Sequence, residues 1–190
     1  TNIEYIIVDG ASKDNTLAIA QKYQKLFDET DGRSLKIISE PDNGMYDALN
    51  KGAKLAHGEL VGQINTDDWY EDDAVETMVN LYKDREYDVA WGSIRIKKKS
   101  GDMIKHAKIG RFWTTTGWCH PGMFSRREIL LEFPYALETM YDDFDYITAV
   151  HQAKKRIITI DKVISNFTFG EGGQSTKKSL KEVKRRVGIT

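Results

Sequence analysis

The stretch Asn65-Thr66-Asp67-Asp68 closes an apolar run, Leu60 to Ile64, with two adjacent carboxylates. Neighbouring aspartates repel each other unless a cation shares them. Hard oxygen donors on a loop suit Mg2+ or Mn2+, ions that commonly also bind substrate phosphates. A solvated turn capping the next helix uses the same residue types, so the pair alone leaves both readings open. A second acidic group, Asp142-Asp143-Phe144-Asp145, opens an amphipathic stretch and complements a helix dipole there. Asp9 ends a β-branched run just before Gly10, a position that fits either a ligand contact or a turn acid. His120 lies between Trp118 and Pro121, where a lone histidine serves a pocket or a structural contact.

These groups need elements to hold them. Glu4 to Asp9 reads as a strand, followed by N-cap candidates and a helix over Thr16 to Phe27. Leu35 to Ser39 reads as a second strand, and Glu40-Pro41-Asp42-Asn43-Gly44 as a turn. In the next segment Tyr46, Leu49, Ala53 and Ala56 share one helical face, and Gly58 is a C-cap. Leu60 to Ile64 is then a short buried strand whose carboxyl end carries Asp67 and Asp68. A helix with Val75, Met78, Val79 and Tyr82 inward comes next. The strand Tyr87 to Ile94 follows, and Arg95 to Lys105 forms a hairpin turning at Ser100-Gly101. This βαβαβαβ order predicts parallel strands covered on both faces by helices, with strand ends near Asp9, Ser39, Asn65 and Ser93.

The second half is less regular. It comprises an aromatic loop from Phe112 to Trp118, a short strand over Cys119 to Ser125 and a helix over Arg126 to Phe133. A helix over Asp142 to Ala153 and strands over Arg156 to Ile160 and Val163 to Phe169 follow. The Gly170 to Ser175 stretch is a loop, and Lys177 to Val187 a basic helix.

The 190 residues suffice for one domain with a sizeable core, and 40% hydrophobic with 30% charged residues is ordinary for a globular chain. The net charge of −1 offers no global attraction to nucleic acid. Cys119 is the single cysteine, which rules out an internal disulfide or a cysteine zinc cluster and agrees with a reducing cytoplasm. No apolar run approaches the roughly 18 residues of a membrane span. The chain opens with Thr1 rather than Met, so a fragment of a longer protein is expected.

Four motifs, taken together and in order, resemble family 2 glycosyltransferases of the GT-A fold. They are Ile7 to Thr16, Asn43 to Gly52, the Asn65-Thr66-Asp67-Asp68 loop (Asn in place of the first Asp of a DxD-type motif) and Asp142-Asp143-Phe144-Asp145. The resemblance covers almost the whole chain and is strongest to bacterial enzymes of cell-surface polysaccharide synthesis. It implies a three-layer α/β fold with a mainly parallel central sheet. Residues 1–94 would form a nucleotide and metal half, and 95–190 an acceptor half. A first strand and helix of the family, before Glu4, are absent here. That strand lies in the family's sheet between the strands ending at Asp9 and Ile64.

The resemblance also implies the chemistry. A UDP- or GDP-sugar is the donor, and a glycan or lipid-linked hydroxyl the acceptor. Mn2+ or Mg2+ on Asp68 neutralises the departing diphosphate, with Asp67 on the ribose or on the metal's water shell. Asp9 bonds the base, and Asp47 faces the donor sugar or merely occupies its helix's first turn. Asp143 is the general base, with Asp142 and Asp145 close competitors. A single base-assisted displacement inverts the sugar centre. His120 and Trp118 lie on the acceptor side, with Asp145 nearby. Trp69, Trp113 and Trp118 offer rings for stacking on sugars. The Gly172 to Ser175 loop would exclude water. The basic helix from Lys177 to Arg186 suits peripheral contact with the inner face of a membrane. Two other readings fit parts of the pattern: a sugar-phosphate nucleotidyltransferase, and a catalytically incomplete domain that binds a nucleotide or sugar.

Overall fold

The computed structural model describes residues 2–110, 117–139 and 141–169. Trp113, the Gly172 to Ser175 loop and the basic stretch from Lys177 to Arg186 lie outside the described residues.

Strand β1 (Ile3–Asp9) pairs in parallel with β2 (Arg33–Ser39), from Ile3 opposite Arg33 to Asp9 opposite Ser39. The segment between them is two short helices, α1 (Thr16–Lys22) and α2 (Gln24–Asp28), rather than one. The break falls at Tyr23, whose N–H reaches back only three residues, to the Ala20 carbonyl at 3.1 Å. Helix α3 (Met45–Leu55) leads to β3 (Leu60–Gly62), then β4 (Trp69–Tyr70), α4 (Ala74–Arg85), β5 (Val89–Lys97) and β6 (Met103–Lys105). A 3-10 turn at His120–Gly122, β7 (Met123–Arg126), α5 (Arg127–Glu132), α6 (Asp142–Gln152) and β8 (Ile157–Thr168) complete the described chain.

The six later strands form a second sheet in the order β3-β7-β5-β8-β4, with β6 on β5. Strand β8 is parallel to β5, and β7 runs against both β5 and β3, so β3, β5 and β8 share one direction. The two longest ladders, β1 with β2 and β5 with β8, are the parallel ones. Among the described residues β1 has no strand partner but β2, and β3 none but β7. The described strands therefore form two sheets that no strand pairing joins.

Burial explains the layers. On β5, Val89 and Trp91 point into a cluster with Met123, Ile129, Phe144, Ile147 and Val150, which α3, α5 and α6 cover. Ala90, on the other face, joins Ala74, Met78, Phe124, Ile158 and Ile164 beneath α4. Successive strand residues face opposite ways, so one central strand feeds both clusters.

Several strand boundaries differ from expectation: the strand expected over Cys119 to Ser125 begins only at Met123, because Pro121 lies in a 3-10 turn over His120–Gly122. Strand β3 stops at Gly62, opposite Phe124, the last of its three pairs with β7. Strand β5 continues past Ser93 to Lys97, because β6 and β8 both pair with its far end. The strands expected over Arg156 to Ile160 and Val163 to Phe169 are one, β8. A bulge opposite Gly92 and Ser93 absorbs the irregular Asp161-Lys162 step, which pattern alone reads as a break. No described helix is long and apolar enough to cross a membrane.

Candidate active site

Asp143 stands in the first turn of α6 and is held at both oxygens. The Tyr46 hydroxyl donates to its Oδ1 at 2.9 Å, and the Trp118 indole Nε1 donates to its Oδ2 at 2.9 Å. Tyr46 reaches it from the first turn of α3, so two helices and the Trp118 loop converge on one carboxylate. An indole N–H only donates. Burial and the Asp143 charge raise the Tyr46 pKa far above its usual value, so the phenol keeps its proton and remains a donor. The carboxyl is fixed in orientation, and each oxygen retains a lone pair for a further donor.

The same turn separates the three acids. Asp142 is 1% exposed and accepts hydrogen bonds from the Glu138 N–H, the Thr139 N–H and the Thr139 hydroxyl. It ties the preceding loop to the helix and has no access to a substrate. Asp145, two positions beyond Asp143, is exposed; at about 100° per residue the helix turns it away from Asp143.

The Trp118 ring is 6% exposed and packs edge-on against Trp91 at 4.9 Å, so it meets the site through its N–H and not through an open face. His120 lies beside it, with ring centroids 6.2 Å apart, and its Nε2 is 3.2 Å from the Tyr135 hydroxyl. Tyr135 donates to Gln63 Oε1 at 2.5 Å, and the Gln63 amide nitrogen donates to the Leu49 carbonyl. With the Tyr135 proton committed to Gln63, His120 Nε2 carries the hydrogen of its own contact. Burial lowers the His120 pKa, opposed by the Asp143 charge. Gln63 directly follows β3, so the relay runs from the base of the Asp67 loop to the neighbourhood of Asp143. Asn50 clamps Tyr135 from α3, donating to its carbonyl at 2.9 Å and accepting its N–H at 3.0 Å.

The acidic loop is held by the end of β8. The Thr168 N–H donates to Asp68 Oδ1 at 2.9 Å, and the Thr168 hydroxyl donates to the Asp67 carbonyl at 2.6 Å. Asp68 Oδ2 is buried with no hydrogen-bond partner. Desolvation, helped by the Asp67 charge and opposed by the Thr168 N–H, pushes the Asp68 pKa up to about 6. The Asp67 side chain is exposed. An orphaned carboxylate oxygen beside a second carboxylate fits a divalent cation. No set of three or more His, Cys, Asp or Glu that could hold a metal occurs among the described residues. A cation held here would therefore draw most of its ligands from phosphate and water, the usual habit of Mg2+.

Asp9 is 6% exposed at the end of β1, and its Oδ2 accepts from the Ser12 N–H at 3.0 Å and the Ser39 hydroxyl at 2.6 Å. These hydrogen bonds hold its carboxyl below the usual range. Ala11, two residues on, sits at φ 60 in the left-handed region, a strained conformation that turn and ligand loops retain. Asp47 is occupied at the start of α3: its Oδ2 accepts the Asn43 N–H at 3.0 Å and lies 3.6 Å from Lys51 Nζ. These contacts fit its place at the start of the helix.

The matching of known proteins decides the family. A family model described as glycosyl transferase family 2 matches residues 1–150. The chain belongs to glycosyl transferase family 2. Over 83 residues, 44% of this chain, it is 39% identical to EpsH of Bacillus subtilis, covering 23% of that protein. Over 128 residues, 66% of this chain, it is 30% identical to a PGL/p-HBAD biosynthesis glycosyltransferase of Mycobacterium bovis, covering 48% of it. The chain spans about half or less of the length of these relatives. Among solved structures it is similar to S. aureus TarS residues 1–349 in complex with UDP-GlcNAc (TM-score 0.71, 20% identity, 99% of this chain and 57% of that one). It is also similar to the mannosyltransferase PcManGT of Pyrobaculum calidifontis in complex with GDP-Man and Mn2+ (TM-score 0.65, 19% identity, 90% and 49%). At these identities the likeness shows the fold, which is the GT-A fold of glycosyltransferases.

Within this family 2 domain the structure brings Asp143, Trp118 and His120 together. It links them through Tyr135 and Gln63 to the strand that carries Asp67 and Asp68. Tyr46, Asn50, Gln63 and Tyr135 were not singled out as site residues from sequence. The available signal was Tyr46 and Asn50 four apart on an otherwise apolar helical face.

Proposed function

We propose that this domain transfers a sugar, with inversion, from a nucleoside diphosphate donor to a hydroxyl of a glycan or lipid-linked acceptor in cell-surface polysaccharide synthesis. The observation that carries the reading is the two-point hold on Asp143. A general base must face its proton donor in a fixed orientation, and Asp143 is oriented by two distant donors while each of its oxygens keeps a lone pair. Asp143 takes the proton of the acceptor hydroxyl as that oxygen attacks the anomeric carbon. The donor's diphosphate leaves on the opposite face, and one displacement inverts the centre.

Asp67 and Asp68 are the residues that would hold Mn2+ or Mg2+, which when bound offsets the charge of the diphosphate. The nucleotide-sugar assignment draws support from the complexes of TarS and PcManGT. Asp9 stands at a strand end suited to the nucleotide base. His120, on the acceptor side, keeps the Trp118 edge in place. A location at the inner face of the membrane agrees with a lipid-linked acceptor.

The separation into two sheets favours a second reading, in which this chain alone binds a donor without turning it over. A thermal-shift titration with UDP- and GDP-sugars and Mn2+, paired with an assay of donor hydrolysis, tests both. Binding with slow hydrolysis supports the enzyme. Binding with no hydrolysis supports the second reading, and no shift with any donor refutes both.

A further inference from the structure

The β5–β6 hairpin carries charge and apolar surface that the transfer chemistry does not use. Arg95 to Lys108 holds six basic residues (Arg95, Lys97, Lys98, Lys99, Lys105 and Lys108) against one acid, Asp102. Met103 and Ile104 are consecutive on β6 and so face opposite ways, yet each is 45% exposed. The tip therefore stands clear of the body on both sides. Phe169 is 48% exposed and Trp69 49%. Lys98 Nζ lies 5.9 Å from the Phe169 ring and 3.9 Å from Met103 Sδ, and Lys97 Nζ lies 6.0 Å from the Trp69 ring. The Phe169 N–H donates to the Lys97 carbonyl at 2.9 Å, fastening the end of β8 to the hairpin. Met103 and Phe169 thus flank Lys98, and Trp69 flanks Lys97, so apolar side chains and ammonium groups alternate along this edge, with Ile104 exposed on the hairpin's other face.

We propose that this hairpin tip docks on an anionic lipid surface. Met103, Ile104 and Phe169 enter the headgroup boundary, and Lys98 and Lys99 reach the lipid phosphates. An exposed apolar patch among charged groups marks an interaction surface, and its chemistry selects the partner. The tip's cations are all lysines, compact point charges without the flat fork that reads nucleic acid or carboxylates. Lysine is depleted from protein interfaces. Methionine and isoleucine gain nothing from phosphate or bases but partition into an acyl boundary, while lysine stems follow them and keep their charges in water. Among the described residues, Asp102 pairs with Lys97 at 2.6 Å, Glu71 pairs with Arg95, and Asp161 lies 2.8 Å from His106. Docking itself does not depend on the proposed transfer reaction. Its use, bringing the Asp143 site to a lipid-linked acceptor, does.

Flotation with vesicles of phosphatidylcholine alone, and of phosphatidylcholine mixed with phosphatidylglycerol, tests the proposal without any sugar donor. The protein should float with the anionic vesicles only, and less as salt shortens the Debye length below about 10 Å. Each basic residue near such a surface changes partitioning by roughly fivefold, so the double variant Lys98→Gln, Lys99→Gln should weaken binding by about tenfold or more. The double variant Met103→Ser, Ile104→Ser should weaken it independently. All four positions are remote from the core, and unchanged melting and donor binding will show that the variants fold. Three results would each overturn the proposal: no flotation with anionic vesicles, equal flotation with neutral ones, or anionic flotation that both variants leave unchanged. The last would assign binding to Lys177 to Arg186 instead. Displacement from anionic vesicles by an equal charge of single-stranded DNA would also overturn it, in favour of a nucleic-acid surface.

Discussion

Trp118 Nε1 and Asp143 Oδ2, twenty-five residues apart in sequence, are 2.9 Å apart in the fold, and the Tyr46 hydroxyl meets the other oxygen of the same carboxyl. The acid read as the general base is therefore positioned by two residues that can only donate to it.

Removing the base should damage the chemical step and spare donor binding. Asp143→Asn keeps the shape but cannot take a proton, so transfer should fall by about 10² to 10⁴ with the donor Kd nearly unchanged. Asp145→Asn, on the exposed side of the turn, should retain near-parental transfer. The reverse pattern in a radiolabelled-sugar assay would move the base two residues along.

Tyr46→Phe and Trp118→Phe test the hold. Each deletes one donor and leaves an aromatic ring in place. Each should lower kcat by roughly tenfold, with donor KM little changed. Thermal unfolding should register about 1.5–3 kcal/mol, the usual worth of a hydrogen bond to a charged group. A change in donor KM alone would place these residues at the donor instead.

Asp68 makes stability depend on pH in a defined window. Its folded pKa of about 6 exceeds the ordinary aspartate value of 3.8, so between these values the native state binds more protons than the unfolded chain. Without a cation, stability should therefore fall as pH rises from about 4 to about 6, and the cost persists above that range. Asp68→Asn should remove this slope in melting curves taken across the range. Mn2+ favours the ionised carboxyl, so its stabilising effect should grow over the same interval.

The same charge argument predicts that UDP binding requires the cation. With EDTA the diphosphate faces Asp67 and Asp68 unshielded, and calorimetry should show affinity lost, as it should for Asp68→Ala with Mn2+ present. Equal affinity with and without EDTA would rule out the metal site.

Gly92 tests the fold itself. A Cβ there would collide with Ile164 Cγ1 and lie 2.8 Å from the Lys162 carbonyl oxygen, which is backbone at the β8 bulge. Gly92→Ala should destabilise the domain by about 1–3 kcal/mol or more, read as a lowered Tm.

The order of elements was legible because it rests on local periodicity and turn chemistry. The strands at Ile3–Asp9 and Arg33–Ser39, the apolar face of α3, the acidic start of α6 and the hairpin turn at Ser100-Gly101 all followed from residue types a few positions apart. The end of β3 and the single β8 did not, because pairing depends on a partner strand and a bulge far away in the chain. Likewise the sequence placed three acids in one turn and could not rank them by geometry. Tertiary packing did so: Glu138 and Thr139 occupy Asp142 and the helix turns Asp145 outward, while Tyr46 and Trp118, ninety-seven and twenty-five residues away, orient Asp143. Hydrogen bonds between such distant residues leave no periodic trace, since a tyrosine on a helical face reads as core until its hydroxyl has a partner.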